Sequence, residues 1–134
     1  MEKKYKLTEE TINVNGKTLY RIEALKDFGN VKMGDKGGFI EKESNLSQSG
    51  DCWVYGDAKV SDNAEVFDNA EIYSTAKVYG NAKIYDNAKV YWNAEVYGNA
   101  EVYDDAKVFE EAKIYGNAKV SGDARVYGKA KICG

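Results

Sequence analysis

The groups that could do chemistry in this sequence are carboxylates, lysines, tyrosines and two cysteines. Its 134 residues include 22 acidic residues but no histidine, the commonest general base and metal ligand. Most aspartates stand beside Gly, Asn or Asp, where we interpret them as turn residues rather than bases. No Ser-His-Asp set and no GxxxxGK[ST] phosphate loop is present. We therefore expect no catalytic residue, no metal site and no cofactor.

The composition indicates a single compact domain. The formal net charge is −3, so no basic surface favours nucleic acid. No apolar run is long enough to cross a membrane and no secretory signal is visible. The cysteines, Cys52 and Cys133, form no CxxC pair. We expect Cys52 to be a small core residue rather than a nucleophile, and the protein to be cytoplasmic.

The elements that carry these groups repeat every six residues. An aliphatic residue recurs from Val54 to Ile132, and an alanine precedes it by two positions from Ala58 to Ala130. In Ala-Lys-Val-Tyr, side chains alternate between the two faces of a strand, and the following Gly-Asn or Asp-Asn turns the chain. Three such strands would close one coil of eighteen residues, with coils about 4.8 Å apart. The pattern predicts a solenoid with Ala and Val inside.

This pattern resembles the hexapeptide repeat of the acyltransferase-like superfamily, although Tyr or Phe occupies the second position of most hexads. The resemblance covers Val54 to Ile132 and implies an all-β fold, a three-sided left-handed parallel β-helix. It also implies trimers with parallel coil axes. Enzymes of that superfamily transfer acyl groups from coenzyme A or carrier proteins with a histidine base, and this chain has no histidine to match it.

The first part of the chain differs from the repeat. Asn15-Gly16 lies between two alternating segments and predicts a β-hairpin that covers the first coil. We therefore divide the domain into a cap, residues 1–36, and a β-helix, residues 37–134. The block "GGFIEKESNLSQSGDCW" resembles that of YdcK-type bacterial and phage proteins. Counting back by eighteen places Ile40 and Leu46 in the alanine register and Gln48 in the valine register.

Sorting residues by eighteens gives three outer faces. On the second face the charges alternate in sign along Glu65, Lys83, Glu101 and Lys119, which predicts charge pairs between coils. The third face instead carries successive cations, and the corner that follows it departs from the Gly-Asn pattern. Its outward positions are Trp53, Glu71, Lys89, Lys107 and Arg125 in one row and Tyr55, Tyr73, Tyr91, Phe109 and Tyr127 in the other.

We predict a recognition edge along this third face. It comprises Tyr73, Ser74, Thr75, Lys89, Tyr91, Trp92, Lys107, Phe109, Glu110 and Glu111. Flat surfaces of Tyr91, Trp92 and Phe109 would stack on sugar rings or anchor a protein partner. The alternative is a corner without a ligand, or one that packs against other copies of the chain.

Three functions follow from these features. The preferred one is a non-catalytic structural or binding module that forms homo-oligomers through its aromatic outer faces, because exposed apolar stripes are often interfaces. The second is an acyltransferase-like enzyme with an acyl-coenzyme A donor. The third is a carbohydrate-binding module that uses the recognition edge.

Overall fold

The computed structural model describes residues 2–134, which form a stack of short strands preceded by a hairpin. The first elements are β1 Tyr5–Val14, β2 Lys17–Ala24, β3 Lys36–Ile40 and a 3-10 helix at Glu43–Asn45. The repeat follows as β4 Trp53–Val54, β5 Lys59–Val60, β6 Glu65–Val66, β7 Glu71–Ile72, β8 Lys77–Val78, β9 Lys83–Ile84, β10 Lys89–Val90, β11 Glu95–Val96, β12 Glu101–Val102, β13 Lys107–Val108, β14 Lys113–Tyr115, β15 Lys119–Val120, β16 Arg125–Val126 and β17 Lys131–Cys133. None of the described residues forms a helix of the length and apolarity needed to span a membrane.

Every third strand of the repeat joins the same sheet, so the solenoid has three faces. The first sheet has the order β1-β2-β3-β5-β8-β11-β14-β17, the second β6-β9-β12-β15, and the third β4-β7-β10-β13-β16. Within the repeat the pairing is parallel and joins residues eighteen apart, such as Val90 and Val108. This confirms the all-β, three-sided parallel solenoid. The left hand of the coil stays a prediction.

Alanine and the aliphatic residues fill the interior as the alternation predicts. From Ala58 to Ile114 both positions of every hexad are essentially inaccessible to solvent. The first residue of each corner has a positive φ, for example 69° at Gly98 and 57° at Asp86. Gly, Asn and Asp adopt this left-handed conformation most readily, which explains the turn residues of the repeat.

The first coil differs in register from the expectation. Ile40 pairs with Val60 and Leu46 bridges to Val66, so both occupy the aliphatic register rather than the alanine register. By Trp53 the pairing has returned to a separation of eighteen, with Glu71. Two extra residues in the corner between Leu46 and Trp53 account for the shift. Gln48 lies in this longer corner, where its side chain accepts hydrogen bonds from backbone N–H groups near the start of β1.

The hairpin pairs with the edge strand of the first sheet. Asn15 and Gly16 have φ values of 52° and 83°, as the predicted tight turn requires, and β2 pairs antiparallel with β3. Gly38 in β3 has no room for a side chain, because a Cβ atom there would lie 2.5 Å from the carbonyl oxygen of Ala58. The Gly-Gly pair therefore lets the cap strand approach the first full coil.

The N-terminal segment also covers the start of the third face. Trp53, which the register places among outward residues, is only 1% exposed. Its indole contacts the rings of Tyr5 and Phe28 edge to face, with centroids 6.1 and 5.2 Å apart. Trp53 is thus covered by the cap, and its row becomes partly exposed one coil later, at Glu71.

Candidate functional site

The aromatic row of the third face is a continuous stack. Centroid distances are 5.0 Å between Tyr73 and Tyr91, 5.1 Å between Tyr91 and Phe109, and 5.4 Å between Phe109 and Tyr127. The planes of these pairs lie within 15° of parallel. Because neighbouring strands of the sheet are about as far apart as two stacked rings, each ring covers the face of its neighbour. Tyr91 and Phe109 therefore present ring edges outward, not the flat surfaces expected from the sequence.

Trp92 supplies the flat surface that its neighbours do not. Its indole lies 5.5 Å from the Tyr91 ring and 5.8 Å from the Phe109 ring, at interplanar angles of 79° and 81°. Since stacking occupies the faces of those two rings, their edges contact one face of the indole. Trp92 is 52% exposed, so much of the indole is open to solvent. Its φ of 57° is costly for a bulky residue, and such strain often accompanies function.

Other corner residues of the predicted edge form hydrogen bonds between adjacent coils. Ser74 and Glu110 have φ values of 61° and 59° at positions where Gly occurs in other coils. The Thr75 hydroxyl donates to the carbonyl oxygen of Trp92 at 3.1 Å. A carboxylate oxygen of Glu110 accepts from the Gly128 N–H at 3.3 Å, and Glu111 is exposed. The corner residues thus form a column beside Trp92 that runs along the coil axis.

The cations lie on the other side of the aromatic row from Trp92. Lys89 Nζ is 3.7 Å from a carboxylate oxygen of Glu71 in the preceding coil. Lys107 and Arg125 form no ion pair within residues 2–134. The structure therefore divides the predicted residues into three parallel rows on one face: a cation row, an aromatic row and the Trp92 corner.

A groove that the sequence did not reveal runs along the cation row. It has a volume of about 740 Å³, and its second wall is the corner that precedes the third face. That wall consists of Asp51, Asn69, Asn87, Asp105 and Asp123. The signal in the sequence was the change from Asn to Asp at this corner in the coils that carry Lys107 and Arg125.

Several glutamates of the outer faces accept hydrogen bonds from tyrosine hydroxyls. The hydroxyl of Tyr85 donates to Glu101 at 2.9 Å, and Tyr79 donates to Glu95 at the same distance. The expected charge pairs of the second face are absent from the described residues. That prediction was wrong because the tyrosine of one coil reaches the glutamate of the next coil. Burial and this hydrogen bond raise the pKa of Tyr85 to about 12.

Cys52 lies in the core beneath the cap. Its side chain is inaccessible, and burial raises the pKa of its thiol. Lys4 is also buried; its Nζ donates to the Cys52 carbonyl oxygen at 2.8 Å and lies 3.4 Å from the thiol sulfur. Burial lowers the pKa of Lys4. A protonated, enclosed thiol is a poor nucleophile, which fits the structural interpretation of Cys52.

The fold and these repeating faces define a β-solenoid of the hexapeptide-repeat type. Residues 112–128 match a family model described as the YdcK beta solenoid repeat. A curated relative, "Uncharacterized acetyltransferase YdcK" of Escherichia coli strain K12, is 46% identical over 37 residues, which is 28% of this chain. The matched segment spans 11% of that relative's length. These similarities confirm the resemblance that the repeat indicated.

Proposed function

We propose that the protein is a non-catalytic β-solenoid that acts as a structural and binding module and associates with other copies of itself through its aromatic outer faces. The observation that best supports this is the third face, where an aromatic row and a cation row run side by side along successive coils. No loop interrupts them between Val54 and Ile132. Continuous, partly exposed stripes of this kind are typical of interaction surfaces.

The bonding of the outer side chains supports a non-catalytic role. Glu71, Glu95 and Glu101 each accept a tyrosine hydroxyl, so these carboxylates are engaged in holding coils together. Burial and the adjacent carboxylate also raise the pKa of Tyr55 and Tyr79, so both hydroxyls remain protonated donors well into the alkaline range. Such groups stabilise the wall and are poorly suited to accept a proton from a substrate.

The self-association is tested by measuring the mass of the purified chain by sedimentation equilibrium. We expect a multiple of 14.9 kDa, and the superfamily resemblance implies a trimer. The double variant Tyr91→Thr/Phe109→Thr should dissociate more readily, because threonine suits a strand but removes the apolar edges. A wild-type protein that stays monomeric at its highest soluble concentration contradicts the proposal.

The second candidate is carbohydrate binding at the Trp92 corner. The observation that favours it is the exposed indole of Trp92, since sugar rings stack on exposed aromatic side chains. Screening of the labelled protein on an oligosaccharide array should then give a ligand whose binding Trp92→Ala abolishes. Tyr103→Ala, on the second face, is the matched control. Equal binding by both variants contradicts a site at Trp92.

The third candidate is acyl transfer from an acyl-coenzyme A donor, which the name of the Escherichia coli relative favours. A carboxylate would have to replace the histidine base in that case. Isothermal titration with acetyl-coenzyme A distinguishes the classes. We expect no saturable heat, whereas stoichiometric binding would support the enzyme and argue against a purely structural module.

A further inference from the structure

The aromatic row of the first face begins one coil later than the strand row that carries it. Tyr79, Tyr97 and Tyr115 stack with centroids 4.9 and 5.3 Å apart. The residue in register with Tyr79 in the preceding coil is Ser61, because Val60 pairs with Val78. Tyr97 covers one face of the Tyr79 ring, and on the other side the row offers a serine instead of a ring. One ring position of the stack is therefore vacant.

The vacant position lies in a cavity between the first face and the hairpin, which we call the cap pocket. Its volume is about 290 Å³, and Ser61 and Tyr79 line it from the solenoid. The hairpin contributes Val14 and Leu19 to the opposite wall. Ligand pockets in proteins usually have volumes of about 300–1,000 Å³, so the cap pocket is of a size for a small ligand.

The cap pocket is held in shape by contacts at both ends of β2. At the hairpin tip, Lys17 forms an ion pair with Asp62, which also accepts a hydrogen bond from the Gly80 N–H at 2.9 Å. Towards its other end, β2 pairs with β3, and β3 pairs with β5 of the first face. The two walls are thus fixed relative to each other before any ligand arrives.

Five charged residues line the cap pocket, three of them cationic and two acidic: Lys17, Lys59, Lys77, Asp62 and Glu95. Lys17 and Asp62 neutralise each other, and Glu95 accepts the Tyr79 hydroxyl at 2.9 Å. The formal charge of the lining is therefore +1, which favours an anion over a neutral or cationic ligand.

Lys59 and Lys77 are the cations closest in sequence to the vacant ring position. They are partners on the paired strands β5 and β8, each two positions before a residue of the aromatic row. Residues two apart on a strand are about 6.6 Å apart, a distance that a ring with a carboxylate substituent spans. Lys59 Nζ donates to the Asp57 carbonyl oxygen at 3.2 Å, and an ammonium group has further N–H donors for a ligand.

We propose that the cap pocket binds a small planar aromatic carboxylate. The ring of the ligand takes the vacant position on Tyr79 and continues the aromatic row, with Val14 and Leu19 against its outer side. Its carboxylate lies against Lys59 and Lys77, where charge-assisted hydrogen bonds fix its orientation. This site is distinct from the third face and does not depend on self-association.

Binding to wild-type protein is tested with 2-naphthoate by isothermal titration and by ligand-observed NMR. We expect saturable binding with a dissociation constant of about 1 mM or lower, and upfield shifts of the naphthyl protons from stacking on Tyr79. The neutral 2-naphthamide lacks the charge and the saturated decalin-2-carboxylate lacks the flat ring. Each should bind at least about 10-fold more weakly than 2-naphthoate.

The variant Ser61→Tyr fills the vacant position with a ring of the chain itself. It should abolish 2-naphthoate binding without lowering the melting temperature, because the added ring extends the stack on Tyr79. The matched control is Ser121→Tyr, which adds a ring below Tyr103 at the far end of the second face, away from the hairpin. That variant should bind 2-naphthoate as wild type does.

A second variant, Lys77→Gln, tests the charge without filling the pocket. It should weaken 2-naphthoate about 10-fold and leave the affinity for 2-naphthamide unchanged. Absence of saturable heat with wild type at about 10 mM 2-naphthoate overturns the proposal. Equal affinity of wild type and folded Ser61→Tyr also overturns it, and if Ser61→Tyr does not fold, an unchanged affinity of Lys77→Gln does so.

Discussion

Replacement of Ala94 by leucine tests the assignment of inside and outside most directly. Ala94 is inaccessible to solvent and stacks in register with Ala76 and Ala112 of the adjacent coils. Leucine adds three carbon atoms to an interior that three sheets enclose. Overpacking a core costs about 1–3 kcal/mol, and we expect the upper end because sheet backbone cannot move aside easily. Ala94→Leu should therefore lower the free energy of unfolding by about 3 kcal/mol.

The matched control is Tyr97→Leu on the outer face. The Tyr97 ring stacks between Tyr79 at 4.9 Å and Tyr115 at 5.3 Å, and its loss removes two cross-strand contacts. Each contact contributes about 0.2–1 kcal/mol, so the total cost is about 1 kcal/mol. With a urea dependence of about 2 kcal/mol per M, the Ala94→Leu midpoint should lie about 1 M below that of Tyr97→Leu. Equal midpoints would refute the assigned interior.

Three further predictions concern the corner, the tyrosine ladder and the cap. Trp92→Gly should unfold in urea within about 1 kcal/mol of wild type, because relief of left-handed strain offsets two lost ring contacts; a loss above about 2 kcal/mol contradicts this. The Tyr85 hydroxyl donates to Glu101, and the pKa of Tyr85 in the folded chain is raised to about 12. The contribution of this group to the stability of the fold is therefore complete below about pH 10 and is lost as the pH rises through 12. The urea midpoint of wild type should consequently fall more over that range than that of Tyr85→Phe, and parallel curves would contradict the assignment. Gly38→Ala should lower the melting temperature far more than Gly16→Ala, because only the first new Cβ atom meets backbone, at 2.5 Å; similar losses would place the close contact elsewhere.

The repeat made most of the fold predictable. Every second strand position faces the interior and is small or aliphatic, and the turn residues recur at a constant spacing. Each hexad therefore specifies a strand and a corner by itself. The Asn15-Gly16 turn was predictable for the same reason, since few residues adopt its backbone angles. The first coil was not, because nothing in the sequence distinguishes a corner with two extra residues from a shift of the repeat.

The candidate edge was predictable as a location but not as a surface. Register alone places Tyr91, Trp92 and Phe109 together, yet it does not give the orientation of their rings. Side-chain torsions decide whether an aromatic row presents faces or edges, and stacking between coils selected edges here. The groove was not predicted because its two walls belong to different rows of residues. Only the relative positions of those rows in the structure show that Asp105 and Lys107 stay apart.

The stacked tyrosines also give the folded chain an optical signature. Rings of Tyr79, Tyr97 and Tyr115 lie within 8° of parallel at nearly constant spacing, so they form an ordered row of like chromophores. Electronic transitions of chromophores held in this way couple, and excitation can pass from ring to ring. On the third face such a row touches Trp92, an energy acceptor for tyrosine. Tryptophan emission excited through tyrosine would therefore report whether the coils beside Trp92 and the cap contacts of Trp53 are intact, without any added label.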